Sequence, residues 1–157
     1  MTTASSVLNQ PINVVSGLNA LLADNLALYV KTKNFHWHLS GPHFRDYHLL
    51  FDDQASQIFA STDVMAEQVR KLGRKTLNSV RQIARLQRID DNEGDDVAAR
   101  DMIAELLRDN RSLVSEMKPP HALCDETDDV ATASSIENWI DEGDGRAWFL
   151  WEARQLR

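Results

Sequence analysis

Apolar side chains recur at three- and four-residue steps along most of this chain, the spacing of a single buried face on a helix. Val14, Leu18, Leu21, Leu22, Tyr29 and Val30 predict a helix from Val14 to about Trp37. Ser40-Gly41-Pro42 interrupts it, and Pro42 suits the first turn of the next helix, where its missing N–H is no loss. That second helix is expected from near His43 to about Leu72, with Gly73 as the residue that ends it. Its inward stripe is Phe44, Tyr47, Phe51, Ala55, Ile58, Met65 and Val69. A shorter amphipathic segment carries Leu77, Val80, Ile83 and Ala84, and the run from Asp90 to Asp96 reads as a turn and an acidic helix start. A third long helix holds Val97, Ile103, Leu106, Leu107, Val114 and Met117 and should stop at Pro119-Pro120. The last begins near Asp125 to Asp129 and carries Val130, Ala133, Ile136, Ile140, Ala147, Trp148 and Trp151, with Gly143 and Gly145 weakening its middle. Four long helices, a crossover in the middle and no strand signal make an all-α four-helix bundle.

The polar positions of the second helix change the picture. His48 and Asp52 are four apart, as are Asp63 and Glu67, so each pair projects from neighbouring turns. At about 100° per residue, all four fall within a sector of roughly 100°. The inward stripe centres about 110° away by the same step, so the acids lie beside the core and not in it. From Asp52 to Asp63 is about 16 Å of helix rise, too far for one metal centre. Two copies of the helix, antiparallel across a two-fold axis, would bring His48 and Asp52 of one beside Asp63 and Glu67 of the other. A site inside the bundle would instead carry Glu-x-x-His on its helices, and the chain has no such motif. Either pair alone reads as an ordinary solvated pair; with His36 just before the turn, the set reads as a ligand set. Imidazole and carboxylate together suit Fe(II), Mn(II) or Zn(II).

On these residues the chain resembles the Dps mini-ferritins. That family's pattern is His-Trp, then His, three residues, Asp, ten residues, Asp, three residues, Glu. Here it stands as His36-Trp37, His48, Asp52, Asp63 and Glu67 with every spacing kept. The resemblance implies a ferritin-like bundle with a small helix in the long crossover, assembled from two-fold dimers into a hollow dodecamer. It implies a ferroxidase centre between subunits, with His36, His48 and Asp52 from one chain and Asp63 and Glu67 from its partner. One or two irons per site would pass from Fe(II) to Fe(III), oxidised preferentially by hydrogen peroxide, and the shell would store the ferric mineral and protect against oxidative stress. Trp37 would quench oxidising equivalents, or simply pack at the interface. Lys33 would assist proton transfer, with a lysine snorkelling at the interface as the favoured reading. His38 replaces the family's usual Asn and reads as a surface histidine. Asp125, Glu126, Asp128 and Asp129 cap a helix, and in the family this region lines iron-admitting pores; the family's Thr-Ala-Asp is Thr132-Ala133-Ser134 here.

Composition narrows the function further. The 157 residues suit one domain, expected over 14–157 behind a short flexible tail at 1–13. That tail holds no Lys or Arg: the first charged residue is Asp24 and the first basic one Lys31. With a net charge of −7 and no basic arm at either end, DNA binding through the N-terminal tail is not expected, since such affinity comes mainly from Lys and Arg. The basic run from Arg70 to Arg88 reads as a solvated stretch pairing with acids. A DNA-compacting nucleoid protein with secondary metal binding is the alternative, and a scaffold that binds metal without oxidising it is a second. The lone Cys124 excludes an intrachain disulfide and reads as an inert thiol in a reducing, cytoplasmic setting. No apolar run is long enough to span a membrane.

Overall fold

The computed structural model describes residues 13–155. The expected flexible tail lies outside them except for Asn13, which starts the first helix. Five helices follow: α1 (Val14–His38), α2 (Phe44–Lys71), α3 (Val80–Leu86), α4 (Ala99–Glu126) and α5 (Val130–Arg154). No strand occurs among the described residues. None of the helices is long and apolar enough to cross a membrane.

Local chemistry fixes most helix ends. The Asn13 side chain accepts from the Ser16 backbone N–H at 2.9 Å while the Ser16 hydroxyl accepts from the Asn13 N–H at 3.1 Å, a reciprocal N-cap. Gly73, at φ 77°, closes α2 as expected: its N–H bonds the Arg70 carbonyl and the Arg74 N–H reaches back to Val69. The same double closure ends α4, where Asp128 takes the left-handed position at φ 58° and the Asp129 N–H bonds the Cys124 carbonyl. Asp129 then caps α5 by accepting from the Thr132 N–H at 3.1 Å.

Three expectations about the second half of the chain are corrected. Helix α4 does not stop at Pro119-Pro120 but runs through both to Glu126. Two N–H groups are lost, yet Met117, Pro120 and Cys124 extend the buried stripe, and the Pro120 ring packs where Gly17 of α1 has no side chain. A Cβ on Gly17 would stand 2.9 Å from that ring. Tertiary burial therefore outweighs the roughly 3 kcal/mol a proline costs inside a helix. The acidic run from Asp90 to Asp96 lies wholly in the crossover, because Asn92 folds back on the Gly94 N–H and α4 begins only at Ala99. Helix α5 is continuous through Gly143, which lets α4 approach so closely that an added Cβ would meet Val114 at 2.6 Å.

The core lies between two helical hairpins, α1 with α2 and α4 with α5, which meet mainly along α1 and α4. Phe35, Phe51, Ile58, Met65, Leu106 and Leu113 are among its fully buried side chains, each contributing on the order of 1.5–3 kcal/mol. Several residues that the periodicity placed inward are exposed instead: Val30, Phe44, Val130, Trp148 and Trp151. Val30 points away because it follows the buried Leu28 by two residues, about 200° round the helix. Its neighbour Lys31 is buried, pairing with Asp109 at 2.7 Å and Glu105 at 3.0 Å and donating to the Asp90 carbonyl. Arg88, two residues before Asp90, ties the same part of the crossover to the buried Asp24 and to Glu116, both at 2.7 Å. Burial lifts the Asp24 carboxyl above its usual range despite the hydrogen bonds and charge of Arg88. Within the basic run, Arg88 thus pairs with acids as expected.

Candidate metal centre

The turn at 39–43 folds the end of α1 onto the start of α2, which brings His36 and His48 face to face. Their rings stack at 3.7 Å between centroids with 16° between planes. The His36 Nδ1–H donates to the His48 carbonyl at 2.7 Å, and the His48 Nδ1–H donates to the His36 carbonyl at 2.9 Å. A carbonyl only accepts, so this exchange puts the proton on Nδ1 of both rings and leaves both Nε2 lone pairs for a ligand. Asp52 stands one turn further along α2, its Oδ1 3.8 Å from His36 Nε2.

Lys33, one turn back on α1, reaches across the hairpin to Asp52 Oδ1 at 2.8 Å. This hydrogen bond, assisted by the lysine charge, holds the Asp52 carboxyl below its usual range. The lysine therefore grips a candidate ligand, a sharper role than snorkelling. The partnership follows from hairpin register: if His36 meets His48, the residue one turn earlier on α1 faces the residue one turn later on α2. Trp37 is 63% exposed, with the Lys33 ammonium 5.8 Å from its ring centroid. His38 accordingly behaves as a surface side chain, its Nδ1 on Asn34 at the end of α1.

Asp63 and Glu67 do not join this group. Both are exposed, further along α2, and make no side-chain hydrogen bond or ion pair among the described residues. Asp63 borders a cleft between α1, α2 and α3 walled by Leu22, Leu26, Phe59, Ala66, Val80 and Ile83. Among the described residues, no three His, Cys, Asp or Glu side chains of one protomer lie close enough to hold a metal ion. One chain thus presents two separate halves: two imidazoles with a carboxylate at one end of α2, and two carboxylates at the other.

The acids around the α4–α5 turn have local duties. Asp128 and Asp129 build the turn and the cap, and Asp125 and Glu137 flank His121 at 3.6 Å and 2.8 Å. The contact of His121 with Glu137 carries no periodic signal in the sequence. Cys124 is fully buried, and burial followed by the charges of Asp129 and Asp125 pushes its thiol up to about 11, so it is inert.

Five helices in this order, with the short one in the crossover, are the arrangement of a ferritin-like protein. The family model of the ferritin-like domain matches residues 15–156. A low temperature-induced protein of Nostoc is 33% identical over 138 residues, 87% of this chain and 77% of that one. The DNA protection during starvation protein of Brevibacillus brevis is 32% identical over 120 residues, 76% of this chain and 80% of its own. The crystal structure of Dps from Thermosynechococcus elongatus superposes with a TM-score of 0.88 at 26% identity, covering 92% of this chain and 91% of that one. The chain belongs to the Dps family of ferritin-like proteins.

Proposed function

We propose that this protein is an iron-sequestering mini-ferritin that oxidises Fe(II) at sites shared between two-fold-related subunits. His36, His48 and Asp52 of one chain and Asp63 and Glu67 of its partner bind the iron, which is substrate. Hydrogen peroxide is the preferred oxidant: two Fe(II) and one peroxide, with two protons, give two Fe(III) and two waters, so no one-electron oxygen radical is released. The ferric product is stored as mineral inside a hollow dodecamer. The observation that carries this reading is the reciprocal His36–His48 bond. It leaves both Nε2 lone pairs free, that of His36 3.8 Å from Asp52, while two carboxylates without a partner among the described residues stand at the far end of the same helix.

The chain's own groups supply the chemistry around the metal. The paired carbonyls hold both rings in the ligand tautomer, which removes one cause of delay in binding. Lys33 neutralises Asp52 until a cation replaces it, and the released ammonium then stands ready as a proton donor. The exposed Trp37 lies beside this half, where it can give up an electron to stray oxidant. Around the Asp63 half, Val30, Phe59, Val64 and Val80 are exposed apolar residues that a second subunit would cover. DNA compaction is the lesser reading because the net charge is −7 and the N-terminal tail has no basic residue.

The test is anaerobic stopped-flow absorbance with Fe(II) and peroxide, on an assembly whose mass is measured first. A dodecamer that consumes about one peroxide for two irons, by the stoichiometry above, and that is faster with peroxide than with oxygen is expected. Iron that binds without being oxidised would replace the enzyme with a passive metal-binding scaffold.

A further inference from the structure

We infer that the cleft between α2 and α5 is a binding site for an oxyanion that carries a hydroxyl, of the hydrogenphosphate type, held by Arg146. Arg146 sits in the middle of α5 and is 5% exposed. Its Nε donates to Asn110 Oδ1 at 2.7 Å and its Nη1 to Gln57 Oε1 at 2.9 Å, both neutral amides. The other buried charged groups answer one another or reach the surface acids and bases: Lys31 has Asp109 and Glu105, and Asp24 has Arg88. Arg146 alone has no carboxylate in contact among the described residues. Glu142, one turn back, acts on it only through space. Burial brings the guanidinium down to about 10, which still leaves it fully charged near neutral pH. Of its five N–H donors, three have no acceptor among the described residues. A charge so largely buried, met by two neutral amides and no anion among the described residues, is favoured by an anion that reaches it through the cleft.

The same side chain lines a cleft of about 270 Å³. Gln54 and Arg146, both buried, form its floor, while the exposed Asp53 and Phe149 stand at its mouth. Gln54 donates through Nε2 to the Arg146 carbonyl at 3.1 Å, which fixes its amide orientation. Its Oε1 is buried and has no partner among the described residues. The cleft is therefore lined by a cation with unused donors and by a residue with an unused acceptor, with a carboxylate at the rim. Sulfate and chloride have no hydrogen to give Gln54 Oε1. Hydrogenphosphate and dihydrogenphosphate supply both an anionic oxygen for Arg146 and an O–H for Gln54. The site rests on this cleft alone and not on the iron chemistry.

The experiment is titration calorimetry and thermal denaturation of the metal-free native assembly at neutral pH. Sodium phosphate is compared with sodium sulfate and sodium chloride at equal ionic strength. Saturable heat with phosphate is expected, together with a denaturation midpoint that rises with phosphate concentration and stays put in the other salts. Gly145→Leu is the decisive variant: a Cβ there meets nothing within 4 Å, so the helix tolerates it, while the side chain fills the cleft wall. It should keep the assembly and weaken phosphate at least tenfold, as should Arg146→Met if that chain folds. Phosphate binding unchanged in the folded Gly145→Leu protein overturns the proposal. So does a wild-type assembly indifferent to phosphate, which would give Arg146 to a carboxylate of a neighbouring subunit. Sulfate bound as tightly as phosphate overturns the hydroxyl requirement.

Discussion

The proposed division of the site between two subunits makes a quantitative prediction about mixtures of inactive chains. Take one chain with His48→Ala and another with Asp63→Ala. Asp52 and Asp63 are about 16 Å apart along one helix, so neither lesion reaches the other half of its own subunit. Each homo-oligomer should be nearly inactive, because every site lacks one ligand. In a mixed dimer, the Asp63→Ala chain lends intact His36, His48 and Asp52 to one site, and the His48→Ala chain completes it with intact Asp63 and Glu67. The second site of that dimer carries both lesions. Random pairing on co-expression makes about half the dimers mixed, so roughly a quarter of all sites should be whole by two-fold symmetry. Peroxide-dependent iron oxidation in the co-expressed protein should therefore recover to about a quarter of the wild-type rate per subunit. Mixing the separately assembled mutants should restore nothing unless subunits exchange. Co-assembled oligomers that stay dead, with both chains present by mass, would refute the shared site.

Three further predictions concern DNA, packing and pH. Plasmid DNA should run unretarded with the assembly at moderate salt and neutral pH without divalent metal; a clear shift would direct attention to the surface between Arg70 and Arg88. Gly143→Ala drives a Cβ to 2.6 Å from Val114 and should lower stability by about 1–3 kcal/mol in denaturant titrations, because the α4–α5 approach must widen. Glu105 is pushed up by burial but brought below its usual range by hydrogen bonds from Asn92 and Lys31 and by the charges nearby. Its contribution is thus present above the ordinary glutamate value of about 4.3 and is lost as pH falls through the depressed folded value. Glu105→Gln should flatten the acid side of the stability profile, and an unchanged profile would show that Lys31 is held by Asp109 alone.

How much of this was legible in the sequence depends on whether a feature is local to one helix. The spacings of His48, Asp52, Asp63 and Glu67 fix their angular sector and separation whatever α2 packs against, so both halves of the candidate site could be read directly. Gly73 was legible for the same reason, since a helix end is a matter of a few adjacent residues. The Lys33–Asp52 contact needed the register of the α1–α2 hairpin, and the passage of α4 through Pro119-Pro120 needed the space above Gly17. Neither is written in any single segment. Buried charges were hidden most completely: Lys31 and Arg146 look like surface residues until partners on other helices are known.

The exposed apolar residues carry the opposite lesson. Periodicity counted Val30 among the inward residues of α1, and the single protomer leaves it 60% exposed. The same side of the protomer gathers Phe59, against Tyr29 at 5.0 Å between rings, and the exposed Val80. Such a patch is costly on an isolated surface, since each side chain forgoes the burial its chemistry favours. It borders Asp63, a carboxylate that finds no ligand partner among the described residues of its own chain. Apolar residues without a core and an acid without a histidine thus fall where α1, α2 and α3 meet, and the proposed two-fold neighbour bringing His48 and Asp52 would complete both at once.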